Sequence, residues 1–455
     1  MKVKTVYCIG LGGVGVSAMA KYFLAQGARV SGSDPQPSPL VDDVIKLGGR
    51  HFLDPDPQRL TAAIDVVIYS DACPVNHPEL ETARRLNLPV MSFAETLAAV
   101  MQPYAQRLAI TGTNGKSTTT ALTGLIFISA GLDPTVFVGS RVTTFNGNLR
   151  LGQSDYFIAE ADEYRDHFLA LQPNVVTITN IELDHLDYFK DLSQIIDSFQ
   201  RLLTQLPATG KIIANVDDPV INQHWGQDRR LIGYGFNQSA TARIVDYKSQ
   251  AGQQIFYILW RQQRLGPYRL HVPGKFNALN AAAAITTALS TGISPTLIPP
   301  VIESYRGIWR RFEILTAGPV TVVSDYAHHP TAISGTIQGT REFFPGRRVI
   351  AVFQPHHHHR LTRLFDNFTS AFDQADLSII TDVYAVLGRE QVTDSRTSRE
   401  LVEAIVAHGR RARYAPDLNS VQTILTQQVR AGDVVLIMGA GDIWKISNAV
   451  AKKYD

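Results

Sequence analysis

The sequence predicts an α/β protein built as three α/β domains in series. Three observations lead there. Apolar runs of strand length alternate with helical segments along the chain. Two glycine-rich turns each stand between such a run and a helix. The chain has 455 residues, too many for one ordinary domain.

The elements follow in order. Residues 3–9 (VKTVYCI) read as a buried strand, 13–26 as a helix and 28–33 (ARVSGS) as a second strand, and this alternation continues to about residue 100, so the first domain is placed at 1–104. A second unit opens with RLAITG at 107–112 and a helix from Lys116 to about Ser129, with further strands at DYFIAEA and NVVTITNI; it is placed at 105–312. The third, 313–455, runs through VTVVSDY, RRVIAVF, LSIITDV and DVVLIMG. In such sheets ligands bind beyond the carboxyl ends of the strands.

Composition narrows the function. Hydrophobic residues make up 45% and charged residues 18%, the balance of a globular protein and not of a disordered one. A formal net charge of +2 supplies no field for nucleic acid, so an anionic ligand needs a local site. Cys8 and Cys73 are too few for a disulfide framework or a structural zinc site, which fits a reducing cytoplasm. Lys2 and Lys4 ahead of an apolar stretch resemble an export signal, but Gly10, Gly12, Gly13 and Gly15 would break the apolar helix a signal needs. No apolar run is long enough to span a bilayer, so no membrane partner is expected.

Two loops carry phosphate chemistry. Gly10-Leu11-Gly12-Gly13-Val14-Gly15 follows a strand and opens a helix, so its backbone approaches a diphosphate closely at a helix N-terminus. Asp34 closes the next strand, roughly 20 residues on, where a ribose hydroxyl is read in dinucleotide sites. This loop serves NAD and a UDP-sugar equally well. The stronger signal is Thr111-Gly112-Thr113-Asn114-Gly115-Lys116-Ser117-Thr118-Thr119-Thr120: backbone N–H groups cradle phosphate, the Lys116 ammonium neutralises its charge and the Ser117 hydroxyl ligates Mg²⁺. Ile110 stands where the general P-loop has its first glycine, which counts against a motor ATPase or a GTPase. Downstream, Glu160-Ala161-Asp162-Glu163 and Asn180 to Asp187 are acidic strand ends; one carboxylate there, Glu160, with Ser117 and ATP oxygens suffices for Mg²⁺, and His185 is available for a second ion.

GTNGKSTTT, EADE, TNIELDHLD, PGKFNALNAAAA, WRRFE, DYAHHP, VFQPH and MGAGDIW occur in the order and approximate spacing found in the Mur ligase family, which the chain resembles over nearly its whole length. The resemblance implies an ATP-dependent amide ligase of three domains, a Rossmann-like N-terminal domain, a central P-loop ATPase-like domain and a Rossmann-like C-terminal domain, which bind a UDP substrate, ATP and an amino acid. Within the family, the N-terminal glycine loop, DYAHHPT, FQPH, TDVYA and MGAGDIW look like the branch that adds L-alanine to UDP-N-acetylmuramate. Asn114 stands where that branch usually has His, and Tyr164 after EADE is more like the recycling branch that attaches an intact tripeptide to the same nucleotide. Gln200 lies near the place of a carbamylated lysine in several sister ligases, so the resemblance implies a mechanism without the carbamate.

Carried over residue by residue, the resemblance assigns Gly112, Thr113, Asn114, Gly115, Lys116, Ser117 and Thr118 to ATP phosphate, Asn277 and Asn280 to adenine, and Asp325 to the ribose. Lys116, His185 and Arg311 become the catalytic set, Arg311 binding ATP as well, and Ser117, Glu160 and His185 the Mg²⁺ ligands. Gly10, Gly12, Gly13, Gly15, Asp34 and Ser70 are assigned to the UDP substrate, and His328, His356 and Arg360 to the amino acid; the sequence does not choose between His328 and His329 near the reacting groups, and either could equally cap the strand end. The four histidines 356–359 read as strand or loop with neighbours facing opposite ways, not as a metal site, since no second Cys or His cluster completes a tetrahedron. The expected partners are UDP-N-acetylmuramate and L-alanine, with no nucleic acid, in a monomer or homodimer. A nicotinamide oxidoreductase would leave GTNGKSTTT idle, and a P-loop switch would not need EADE, WRRFE and a third domain together.

Overall fold

A computed structural model describes residues 3–185, 188–250, 252–385 and 396–455. They form two compact units, one of residues up to Glu182 with Leu192–Tyr234 and Ala283–Ile298, the other of Leu183–Asp191, Gly235–Ala282 and Pro299–Asp455.

The first unit holds two sheets. In one, the strands Thr5–Ile9, Arg29–Ser33, Arg50–Phe52, Val66–Tyr69 and Val90–Ser92 pair in parallel, Thr5–Ile9 lying between Arg29–Ser33 and Val66–Tyr69. Its central strands Thr5–Ile9 and Val66–Tyr69 are apolar and largely buried, as parallel strands covered on both faces are. In the other, Gln106–Thr111 pairs in parallel with Tyr156–Glu160 on one side and Val175–Ile178 on the other; Lys211–Asn215 and Leu231–Gly235 extend the sheet beyond Val175–Ile178. Thr135–Val142 pairs with Tyr156–Glu160 and carries Gly147–Arg150 antiparallel on its outer edge.

That outer hairpin meets the first sheet's helices through polar groups. Arg141 grips Asp43 of the helix Pro39–Lys46 with Nε to Oδ2 and Nη2 to Oδ1, both 3.0 Å. Asn148, fully buried, donates Nδ2–H to the Val14 carbonyl and to Ser17 Oγ at the start of the helix Val14–Ala25. Lys21 of the same helix is 5% exposed; its Nζ has no hydrogen-bond partner among the described residues and lies 3.9 Å from Asp43 Oδ2. Burial depresses its pKa to about 8, with Arg141 adding to the depression and Asp43 opposing it.

The second unit contains an antiparallel meander, Ala242–Gln250, Gln253–Trp260 and Gln263–Leu270, which the predicted α/β alternation did not include. Its six-stranded sheet runs Glu313–Ala317, Thr321–Asp325, Val434–Met438, Val349–Phe353, Leu377–Thr381, Ala412–Ala415, parallel except at the first strand. The four runs read as strands from sequence are its four innermost members. Apolar cores lie on both faces, Val349, Ala351 and Phe353 pointing to one and Ile350 and Val352 to the other. The helix Pro330–Phe343 approaches the meander side closely: Gly339 has room for no Cβ, since one would lie 2.9 Å from the Gly274 Cα.

Candidate active site

Chain order in the first sheet reverses between Thr5–Ile9 and Val66–Tyr69, so a crevice opens at their carboxyl ends. Gly10 makes the turn there with φ +78°, and a Cβ on it would stand 2.9 Å from the Ser70 Cβ. A cavity of about 320 Å³ opens beside it, lined by Gly10, Gly13, Asp34 and Ser70 of the sequence-assigned set. The other two glycines act differently. Gly12 donates its N–H to Asp34 Oδ2 at 2.8 Å, and Gly15 lies under the Phe93 ring, where a Cβ would come within 2.7 Å. Asp34, expected to read a ribose hydroxyl, also accepts from Gln36 N at 2.9 Å and so braces the glycine loop from within the chain. Sequence reasoning missed Cys73 and His77, which line the same cavity. Burial pushes the Cys73 thiol up to about 11, and His77 Nδ1 is buried without a hydrogen-bond partner among the described residues. A lone histidine in a loop carries no signal by which the sequence would have marked it.

The phosphate loop joins the strand Gln106–Thr111 to the helix Lys116–Ser129. Gly112 (φ +121°) and Gly115 (φ +89°) adopt backbone that L side chains rarely do, and a Cβ on Gly112 would sit 2.2 Å from Thr179 Oγ1. The next strand end fixes the loop: Thr113 N–H donates to the Asn180 carbonyl at 3.0 Å and Asn114 N–H to Asn180 Oδ1 at 2.9 Å. Asn114 is thus held by its backbone. Thr113 Oγ1 accepts from Glu182 N at 2.9 Å. The first turn of the helix, at Lys116, Ser117 and Thr118, has N–H groups that no intrahelical carbonyl reaches, donors of the kind an anion takes.

Lys116 Nζ bonds Glu163 Oε2 at 2.8 Å and the Gly112 carbonyl at 2.7 Å, with Asp162 Oδ1 at 3.9 Å. Burial alone would depress its pKa, but Glu163 and Asp162 outweigh burial and hold it above the ordinary lysine value, so the ammonium is charged. Ser117 Oγ donates to Glu160 Oε1 at 2.9 Å, and Glu160 Oε2 accepts Gly139 N–H at 2.6 Å. A serine hydroxyl against a carboxylate is a hard, all-oxygen donor pair of the kind Mg²⁺ takes. Gln200, exposed on the helix Leu192–Thr204, accepts from Trp225 Nε1 at 2.8 Å.

In the second unit the sequence-assigned side chains fall into two groups. Arg360, in the helix His358–Arg363, directs Nε and Nη2 at Asp184 Oδ1, 3.1 and 2.8 Å away, and Nη1 at the His356 carbonyl, 3.3 Å. Expected to face a substrate carboxylate, it has one edge committed to Asp184. His185, with φ +53°, donates its N–H to Asp184 Oδ1 at 2.7 Å. His328 Nδ1–H donates to the Tyr326 carbonyl at 2.9 Å, leaving Nε2 4.0 Å from Asp184 Oδ2. Burial, reinforced by Arg360, lowers the His328 pKa to about 3, so the ring is neutral. Burial would raise the Asp184 pKa, yet Arg360 and the neighbouring histidines hold it well below the usual carboxylate range. The histidine run is not a strand. His356 forms a bridge with Tyr384 and the chain turns at His357 (φ +69°) into the helix.

The second group surrounds WRRFE. Arg311 lies over the Tyr326 ring, 4.3 Å from its centroid. Arg310, 6% exposed, donates to the Gly439 and Gly441 carbonyls and so pins the MGAGD turn. Gln354 ties the same turn down, donating to Asp442 Oδ1 at 2.9 Å and accepting from Ile443 N at 3.0 Å. Asp325, assigned to a ribose, accepts from Phe312 N and Ala327 N, both 2.7 Å, and burial raises its pKa. Asn277 donates to the Pro273 carbonyl at 2.7 Å and Asn280 to Asn277 Oδ1 at 3.2 Å, so both brace the start of the helix Lys275–Ser290.

Family models match the chain in three stretches: "Mur ligase family, catalytic domain" at residues 5–105, "Mur ligase middle domain" at 110–288 and "Mur ligase, glutamate ligase domain" at 310–441. A UDP-N-acetylmuramate–L-alanine ligase of Sulfurihydrogenibium sp. is 34% identical over 99% of this chain and 98% of its own. One from Syntrophotalea carbinolica is 37% identical over the same shares. The crystal structure of the UDP-N-acetylmuramate-alanine ligase from Thermotoga maritima superposes with a TM-score of 0.86 at 26% identity, covering 100% of this chain and 99% of that one.

Proposed function

The chain belongs to the Mur ligase family, and from that premise we propose that it joins L-alanine to UDP-N-acetylmuramate at the expense of ATP, releasing ADP and phosphate, in the cytoplasmic synthesis of a peptidoglycan precursor. The observation that carries this reading is identity spread over the full length of ligases with that activity, through all three domain models, and not confined to the phosphate loop.

A carboxylate is a poor acyl donor, because its leaving group would be oxide. Transfer of the ATP γ-phosphoryl group to the lactyl carboxylate makes an acyl phosphate; the alanine amine then forms the C–N bond as the C–O bond to phosphate breaks. Both steps gather negative charge on oxygen, which fixed cations stabilise. Lys116, held charged at the head of its helix, supports the phosphates, and Arg311 is the proposed second cation. The Ser117–Glu160 pair would hold Mg²⁺, which when bound neutralises phosphate charge. The cavity beside Gly10 and Ser70 takes the UDP portion. His328, His356 and Arg360 serve the amino acid.

The test supplies ATP, Mg²⁺ and UDP-N-acetylmuramate with L-alanine, glycine, L-serine or L-Ala-γ-D-Glu-meso-diaminopimelate, and follows phosphate release. L-Alanine should be preferred. Preference for the tripeptide would move the chain to the recycling branch of the family.

A further inference from the structure

Asp184 was given no role by its sequence, yet its two carboxylate oxygens behave differently. Oδ1 receives the Arg360 Nε and Nη2 protons and the His185 N–H. Oδ2 accepts no hydrogen bond among the described residues and faces His328 Nε2 across 4.0 Å. Because the Nδ1–H of His328 is spent on the Tyr326 carbonyl, Nε2 turns a lone pair toward that oxygen. Two acceptors so placed repel each other unless a donor stands between them. A tetrahedral ammonium seated there reaches both at ordinary lengths of about 2.8–3.0 Å. Arg360 supplies the complement. With its Nε and Nη2 committed to Oδ1, its Nη1 end makes, among the described residues, only the longer 3.3 Å bond to the His356 carbonyl and a 3.5 Å contact with His356 Nδ1. A carboxylate is the ligand that improves on such contacts.

We infer that Asp184 is an amino-acid-positioning residue: its Oδ2, together with His328 Nε2, seats the α-ammonium of the incoming zwitterion, while its Oδ1 aims Arg360 at the α-carboxylate. This rests on the ligase reading and adds a residue to it. One carboxylate thereby sets the distance between the two charges the protein recognises, and an acid lacking the amine gains only half of the contacts.

The experiment compares wild type with Asp184→Asn in the full chain, measuring KM for L-alanine, ATP and UDP-N-acetylmuramate by phosphate release, and inhibition by propionate, which has the carboxylate without the amine. Loss of one charge-assisted contact raises KM for L-alanine about 10- to 100-fold. KM for the two nucleotides and the inhibition constant for propionate should stay within about threefold, since Asn keeps an acceptor for Arg360. His328→Phe removes the second acceptor, leaves the Asp184–Arg360 pair, and carries the same expectation if Asp184→Asn lowers the yield of folded protein. An unchanged KM for L-alanine overturns the inference, as does a rise for ATP in step with it, or propionate weakening as much as alanine. A wild-type protein whose phosphate release ignores L-alanine would bring down the ligase reading as well, whereas a responsive wild type with an indifferent variant brings down this inference alone.

Discussion

Replacing Lys21 by Met should stabilise the protein near neutral pH. Asp43 is already satisfied by the two-pronged Arg141 contact, so Lys21 adds an excess positive charge in a buried place, with no hydrogen bond from its Nζ among the described residues. A fall from the ordinary 10.5 to about 8 corresponds to about 3 kcal/mol in favour of the neutral amine. Below about pH 8 the group is charged in both folded and unfolded chains and the folded state bears the whole cost. Between about 8 and 10.5 the folded chain has lost the proton while the unfolded chain keeps it, so stability rises with pH; above that window the contribution vanishes. Met keeps most of the aliphatic stem and introduces no charge. The gain expected for Lys21→Met is therefore about 1–3 kcal/mol at pH 7, falling below about 1 kcal/mol by pH 10. Urea unfolding of both proteins across this pH range measures it. A variant less stable than wild type by more than about 1 kcal/mol at pH 7, or an advantage that grows with pH, would refute the reasoning.

Lys116→Ala should abolish ATP-dependent phosphate release; because it leaves Glu163, 1% exposed, without its ammonium, a stability loss of about 1–3 kcal/mol should accompany it, read by circular dichroism on heating. Gly12→Val places a Cβ 2.9 Å from Asp34 Oδ2 and should raise KM for the UDP-sugar at least about tenfold with little change for ATP; equal effects on both would show that the loop does not serve the UDP portion. Gly139→Ala brings a Cβ within 2.5 Å of Glu160 Oε1 and displaces that carboxylate, so the Mg²⁺ concentration needed for half-maximal turnover should rise about tenfold. An unaltered Mg²⁺ titration would remove Glu160 from the metal.

The sequence by itself determined what depends on near neighbours. Apolar runs such as DVVLIMG became strands because their side chains alternate between two covered faces of a parallel sheet. Gly112 and Gly115 marked the phosphate loop because their positive φ excludes most side chains, and Lys116 and Ser117 followed because a helix must begin there. The meander at residues 242–270 escaped, since its strands mix polar and apolar residues like a half-covered edge and interrupt no obvious helix. Only the tertiary structure decided which charge meets which. Asp184 and Arg360 lie 176 residues apart, and Asp43 and Arg141 lie 98 apart; a carboxylate can pair with any of many cations until packing brings one within 3 Å. The same holds for Asp34, placed at a ribose by its strand end, and for Asp325, placed there by family resemblance: which backbone N–H groups their oxygens accept is decided only by the fold. Local periodicity is written over a few residues of chain, whereas the partner of a buried polar group is chosen by desolvation, which exists only once the surrounding core has closed.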